Sequence, residues 1–227
     1  MIDPRKAALI VIDMQNGFID PASALCVEGA AATVPACSRA LDHARELGMP
    51  VFHVVREYAE DGSDVEAVRH AAWHDGGKPV SRACVNPRSL DELAPLAPQP
   101  GDRVVVKPRF SAFFNTNLDN VLRRLGVGTV VLIGTTTPNC IRTTCYDALS
   151  LDYNVAVIED CTSSRTPRSG SSRLRSCTSV RRAYASSRGS SSVCTSTIMR
   201  AAPARRRPPR LPRRARSPGL ACRTRRR

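Results

Sequence analysis

Five short, continuous apolar runs constrain this chain more than any other feature. KAALIVID (residues 6–13), MPVFHVV (49–55), DRVVVK (102–107), TVVLIG (129–134) and NVAVIED (154–160) are rich in branched residues. Runs that are apolar on both faces suit strands buried between two layers, which is the pattern of a parallel sheet. Between them, Thr33 to Leu47 and Asn117 to Leu125 have helical spacing, closed by Gly48 and Gly126. Pro138 suits the first turn of a further helix, where its missing N–H does no harm, and this places Cys140 in that turn. Strands alternating with helices predict an α/β fold: a doubly wound, mostly parallel sheet with helices on both faces. The ligand site of such a sheet lies outside the strands' carboxyl ends. Asp13, Lys107 and Cys140 all fall at that edge.

The net charge of +14 suggests a nucleic-acid-binding protein until its distribution is considered. All 20 acidic residues lie within residues 1–164 together with 15 Lys/Arg, a net charge of −5, while residues 165–227 hold 19 arginines and no acid. The basicity therefore belongs to an Arg, Ser, Pro and Ala segment that has no apolar periodicity and too little apolar content for a core. We read residues 1–164 as one catalytic domain and 165–227 as a disordered low-complexity tail. Three origins fit the tail: a nucleic-acid-binding arm, an arm without function, or translation of a GC-rich gene in a shifted frame. The shifted frame is favoured, because natural basic arms usually contain lysine and this one has none. On that reading the sheet lacks a last helix and a last strand. Nucleic-acid binding is open only to the tail.

No apolar run approaches the roughly 18 residues that span a bilayer, and AALIVI runs directly into Asp13 without the form of a secretory signal. The expectation is a soluble, cytoplasmic protein with no membrane partner. The nine cysteines are odd in number, irregularly spaced and without a CxxC pair, which reads as free thiols in a reducing compartment. His53, His70 and His74 are too scattered for a zinc site, so surface or packing roles are expected, with no metal and no cofactor.

The chemistry rests on three residues. A thiol is a nucleophile as thiolate, and a helix N-terminus, a nearby cation and a nearby base all promote that form. A cysteine at a helix start has backbone N–H groups beneath it that can stabilise the thiolate and an oxyanion. Asp13 can accept the thiol proton and return it to a leaving amine, while Lys107 supplies positive charge. Taken singly, Cys140 could be a small buried hydrophobe, Asp13 a turn cap and Lys107 a surface charge. Their common placement at one sheet edge argues for function. Cys145 and Cys161 read as structural, and Phe110, Phe113 and Phe114 read singly as core.

The segments VIDMQNGF, VVKPRFSAFFNTNLD and IGTTTPNCIRTTCYDALSLDYNVAVIEDCTSS together resemble the isochorismatase-like cysteine hydrolases, over about residues 6–164. The resemblance implies a Rossmann-like sheet, a catalytic triad of Asp13, Lys107 and Cys140, and a homo-oligomer. It also implies a non-proline cis peptide at Thr135–Thr136 and an oxyanion hole at Thr136 and Cys140. KPRFSAFF and TTTPNCIR are most similar to the ureide and carbamoyl amide hydrolases, such as those acting on biuret or ureidoacrylate. The expected reaction is hydrolysis of a small amide or ureide through an acyl-enzyme. A cysteine-independent vinyl-ether hydrolase, as for isochorismate, is the alternative. The metal-binding Asp and His of metal-assisted nicotinamidases have no counterpart after the second run, where Arg56, Glu57 and Tyr58 stand. The expected substrate-binding residues are Arg109 or Arg142, which can pair with a substrate carboxylate, Phe18, Phe110 and Phe113, which can form an apolar wall, and Gln15, close to Asp13.

Overall fold

The computed structural model describes residues 2–163. The arginine-rich tail, the frame shift inferred for it, the helix and strand expected to be missing, and Ser164 lie outside the described residues. Within them, the five apolar runs become Ala7–Ile12 (β1), Val51–Val55 (β2), Arg103–Val106 (β3), Thr129–Thr135 (β4) and Asn154–Ser163 (β5). They form one parallel sheet in the order β3-β2-β1-β4-β5. The helices are Asn16–Ile19 (α1), Ala30–Glu46 (α2), His70–Asp75 (α3), Leu118–Arg124 (α4) and Arg142–Ser150 (α5).

The central strand β1 is buried along its whole length because both faces are covered. Ala8, Ile10 and Ile12 pack in one layer with Leu118 and Leu122 of α4 and Cys145 and Ala148 of α5. Ala7, Leu9 and Val11 pack in the other with Cys37, Ala40, Leu41 and Ala44 of α2. Helices thus cover both faces, as the strand–helix alternation requires. The chain winds outward from β1 through β2 to β3, then crosses to β4 and β5, so the strand order reverses between β1 and β4. That reversal opens the crevice in which ligands of such sheets bind.

Gly134 lets β4 approach β1 closely. Its φ is +112°, and a Cβ there would stand 2.1 Å from the carbonyl oxygen of Ile12. Only glycine serves where backbone meets backbone at that distance.

The long polar stretch from Arg56 to Pro100 contains more structure than its composition suggests. Tyr58, Val65, Trp73 and Val80 form a small separate core with Phe18. Isolated bridges from Gln15 to Glu92 and from Tyr58 to Ser81 tie the segment down. His53 of β2 is fully buried, with Nδ1 2.6 Å from Glu92 Oε2, though not in hydrogen-bonding alignment, and Nε2 3.3 Å from Asp102 Oδ2. Of the surface or packing roles expected for it, the surface role is ruled out. Phe114, expected in the core, is half exposed. No helix among the described residues is long and apolar enough to cross a membrane.

Candidate active site

Three strand ends supply the three residues. Asp13 follows β1 with φ +53°, a left-handed conformation that residues other than glycine seldom adopt and that recurs at functional sites. Its N–H donates to Val54 O at 2.9 Å, which fixes it beside the end of β2. Lys107 follows β3, where its N–H donates to Val55 O at 2.9 Å. β3 lies two strand spacings from β1, about 10 Å, a gap that needs a long side chain to cross. Lysine crosses it: Nζ lies 2.8 Å from Asp13 Oδ2, and it donates to Arg109 O at 3.1 Å and to Cys140 Sγ at 3.6 Å. Two of its three N–H donors thus have hydrogen-bond acceptors, and the Asp13 carboxylate is its ion-pair partner. The cation is therefore fixed between carboxylate and sulfur, with Asp13, Lys107 and Cys140 all buried.

Cys140 lies in a π-helical turn, Thr137–Ile141, that leads into α5, a wider opening than the ordinary first helical turn expected from Pro138. The peptide bond Thr135–Thr136 entering this turn is cis. The turn and the helix that it leads into are each braced. Thr137 Oγ1 donates to Ser163 O of β5 at 2.9 Å, and Thr144 Oγ1 accepts from the N–H of Ala112, just beyond Lys107, at 3.0 Å. Asp13 Oδ1, Thr136 Oγ1 and Arg56 Nε are buried polar atoms without hydrogen-bond partners among the described residues. A buried polar atom left unpaired costs about 1–3 kcal/mol, and these three, like the unpaired atoms of Arg45, His53 and Glu92, have hydrogen-bonding capacity left over.

The protonation of the thiol follows from its surroundings. Burial first, and then the negative charge of Asp13, push the Cys140 thiol up to about 11, against the opposing charges of Lys107 and Arg56. Burial and the Asp13 charge thus favour the neutral thiol over a preformed thiolate. Lys107 and Arg56 are outweighed because a desolvated thiolate beside a carboxylate brings two negative charges together. Proton transfer to Asp13 can then accompany attack on a carbonyl carbon, so that negative charge moves without a second one being created.

The other residues named from sequence are placed as follows. Gln15 is buried and spans three backbone groups: Nε2 donates to Arg56 O at 2.9 Å and Leu90 O at 3.0 Å, and Oε1 accepts from Arg56 N at 2.7 Å. The Arg109 guanidinium donates through Nη1 to Asp64 O and Pro108 O, both at 2.7 Å. Arg142 lies over the ring of Tyr146 at 5.8 Å, on the exposed side of α5. Phe18 is in the small core described above, Phe113 stacks on Tyr153 at 5.8 Å, and Phe110 packs against the main core. Of these, Phe110 is the one that meets the charged groups flanking the triad, with the guanidinium carbons of Arg56 and Arg69 at 5.9 and 4.8 Å from its ring centre.

Arg56, directly after β2, went unnoticed as a site residue. It is 1% exposed, and its Nη1 donates to Tyr58 Oη at 2.7 Å and Glu66 Oε1 at 2.8 Å. Burial works against its charge, but the charge of Asp13 and the hydrogen bond to Glu66 outweigh it and hold Arg56 more firmly protonated. Tyr58 Oη in turn donates to Glu66 Oε2 at 2.6 Å. The available signal was its position, an arginine at the same strand-end edge as the triad. Among the described residues no three His, Cys, Asp or Glu side chains gather in a way that could hold a metal ion.

With this geometry established, comparison with known proteins places the chain: it belongs to the isochorismatase family, whose domain matches residues 7–181. It is 44% identical over 165 residues to a probable inactive nicotinamidase of Arabidopsis thaliana, covering 72% of this chain and 83% of that protein. The ureidoacrylate amidohydrolase RutB of Agrobacterium fabrum is 31% identical over 180 residues, 71% of this chain and 77% of that protein. Among solved structures, an isochorismatase family protein from Desulfovibrio vulgaris is 42% identical with a TM-score of 0.73, covering 78% of this chain and 93% of that one. The N-carbamoylsarcosine amidase of Thermoplasma acidophilum is 31% identical with a TM-score of 0.63, covering 78% of this chain and 96% of that one. The fold is therefore that of an isochorismatase-like hydrolase, with amidohydrolases among its relatives.

Proposed function

We propose that this protein hydrolyses a C–N bond in a small amide or ureide, with Cys140 as nucleophile, Asp13 as proton carrier and Lys107 as the cation between them. The observation that carries this reading is the single ammonium of Lys107, 2.8 Å from Asp13 Oδ2 and 3.6 Å from Cys140 Sγ at the crevice of the sheet. Cys140 Sγ forms a bond to the carbonyl carbon while its proton passes to Asp13. The tetrahedral oxyanion is received by backbone N–H groups of the Thr136–Cys140 turn, where Thr136 and Cys140 are the assigned donors. The C–N bond breaks, the departing nitrogen takes the proton from Asp13, and water then attacks the thioester with Asp13 as its base. Lys107 offsets negative charge on both neighbours throughout. The similarity to ureidoacrylate and N-carbamoylsarcosine amidohydrolases supports a linear amide or ureide as substrate.

The Arabidopsis relative is named a probable inactive nicotinamidase, so the test is direct measurement of activity. Ammonia release should be followed from nicotinamide, biuret, N-carbamoyl amino acids and ureidoacrylate, with the chain and its Cys140→Ala variant both shown folded by circular dichroism. Release from at least one compound that is lost in Cys140→Ala is the expected result. No release from folded protein on any of them, or release that survives the substitution, overturns the reading.

A further inference from the structure

Arg56 lies between the two strand ends that carry Asp13 and Lys107, since the N–H of Asp13 binds Val54 O and that of Lys107 binds Val55 O. A guanidinium buried this deeply is costly unless its donors are paired and its charge is matched. Two acceptors, Tyr58 Oη and Glu66 Oε1, converge on Nη1, which fixes the plane of the group and supplies one negative charge. Nε is left buried and unpaired. The hydrogen bonds of Arg56 thus satisfy Nη1 and leave the buried Nε without a partner among the described residues.

The charge around it is not balanced. Asp13 is matched by Lys107 and Glu66 by Arg56. Arg69, whose guanidinium carbon lies 4.8 Å from the centre of the same Phe110 ring, makes no ion pair among the described residues, and Arg109 donates to the backbone carbonyls of Asp64 and Pro108. Setting Arg69 and Arg109 against the nearby Asp64 carboxylate, which accepts from the N–H of Ala59, leaves one positive charge unmatched around an apolar ring. That combination suits a small anion with a short apolar stem. The charge of Arg56 also acts on both Asp13 and Cys140, which places it within electrostatic reach of the reacting thiol.

We propose that Arg56, held by Tyr58 and Glu66 and assisted by Arg69, is the specificity-determining cation that receives a carboxylate on the substrate, so that the preferred substrates are carboxylate-bearing amides or ureides. The proposal rests on the amidohydrolase reading and makes it narrower. It assigns to Arg56 the role that sequence reasoning gave to Arg109 or Arg142. Phe110 serves as the platform for the substrate's stem, and Nε of Arg56 gains the acceptor it lacks.

The test uses matched pairs: N-carbamoylglycine against propylurea and 3-ureidopropionate against butylurea, in which an ethyl group replaces the carboxylate. For each, kcat/KM is read as ammonia release from the full chain and from Arg56→Met, Arg56→Lys and Tyr58→Phe. The ratio of acid to alkylurea within one protein is independent of the fraction folded, so partial unfolding does not confound it. The chain should prefer at least one acid on the order of 100-fold, the size expected of a desolvated charge-assisted pair, and mainly through KM. Arg56→Met should bring the ratio to near one, and Arg56→Lys and Tyr58→Phe to intermediate values. Should Arg56→Met fail to fold, Arg56→Lys decides: a ratio equal to that of the parent chain overturns the proposal. Cys140-dependent release with no preference for either acid overturns it while leaving the amidohydrolase reading intact. Release that survives Cys140→Ala, or none from folded protein on these compounds and on the wider panel, overturns both.

Discussion

Replacing Lys107 with methionine keeps a long unbranched side chain of similar shape but removes the ammonium from a fully buried position. The Asp13 carboxylate is then stranded. Its Oδ2 loses the 2.8 Å contact to Nζ, its Oδ1 already lacks a partner, and the side chain has almost no access to water. Breaking a buried ion pair from one side costs about 3–5 kcal/mol. The carbonyl of Arg109 also loses a donor, which adds roughly 1 kcal/mol. A domain has only about 5–15 kcal/mol in total, so the variant should be visibly less stable. The double variant Asp13→Asn with Lys107→Met removes both charges and should regain at least about 2 kcal/mol over Lys107→Met alone, because the unpaired charge is gone. Urea denaturation at pH 7, followed by far-ultraviolet circular dichroism and compared at matched slopes, measures both quantities. A Lys107→Met loss below about 1 kcal/mol, or a double variant no more stable than the single one, would refute the description of this pair as desolvated charges held by each other.

Three further outcomes follow from the geometry. Gly134→Ala should lose more than about 3 kcal/mol in the same urea assay, because the new Cβ would stand 2.1 Å from Ile12 O and backbone cannot yield as a side chain can. Alkylation of Cys140 by iodoacetamide, followed by peptide mass spectrometry, should be slow at pH 7 and accelerate toward pH 11, since the thiol is held up to about 11; Asp13→Asn should raise the neutral-pH rate by removing the charge that opposes the thiolate. Burial disfavours the Glu66 carboxylate, but hydrogen bonds from Tyr58 and Arg56 and the charge of Arg56 outweigh it and hold Glu66 down at about 2. Its contribution to stability is therefore complete above its ordinary 4.5 and is lost as pH falls toward 2, so Glu66→Gln should flatten that part of the acid-unfolding curve.

The fold was legible because parallel strands buried on both faces leave long apolar runs, and all five runs became strands of the one sheet. Asp13, Lys107 and Cys140 could be placed at one edge because each directly follows such a run or the turn after it. What escaped sequence reasoning depends on contacts without a period. The small core of Phe18, Tyr58, Val65, Trp73 and Val80 draws on scattered positions in a polar stretch, so no helical or strand repeat announces it. Gln15 lies next to Asp13 in sequence, yet its amide clamps the backbone of Arg56 and Leu90. Arg56 sat at a strand end in plain view, but only the three-dimensional arrangement reveals that it is buried and partly partnered. Sequence reveals which charged groups gather, whereas burial decides which of their effects prevails.

The most direct test of the account is whether carbon from the substrate becomes bonded to Cys140. A substrate found in the ammonia-release panel should be mixed with the protein, quenched in acid within milliseconds to seconds, and digested for peptide mass spectrometry. The account predicts an acyl mass on Cys140 during turnover that decays as substrate is exhausted, absent in Cys140→Ala together with turnover. Steady ammonia release from Cys140→Ala at the parent rate, with no acyl mass on Cys140 in the parent chain, would contradict it.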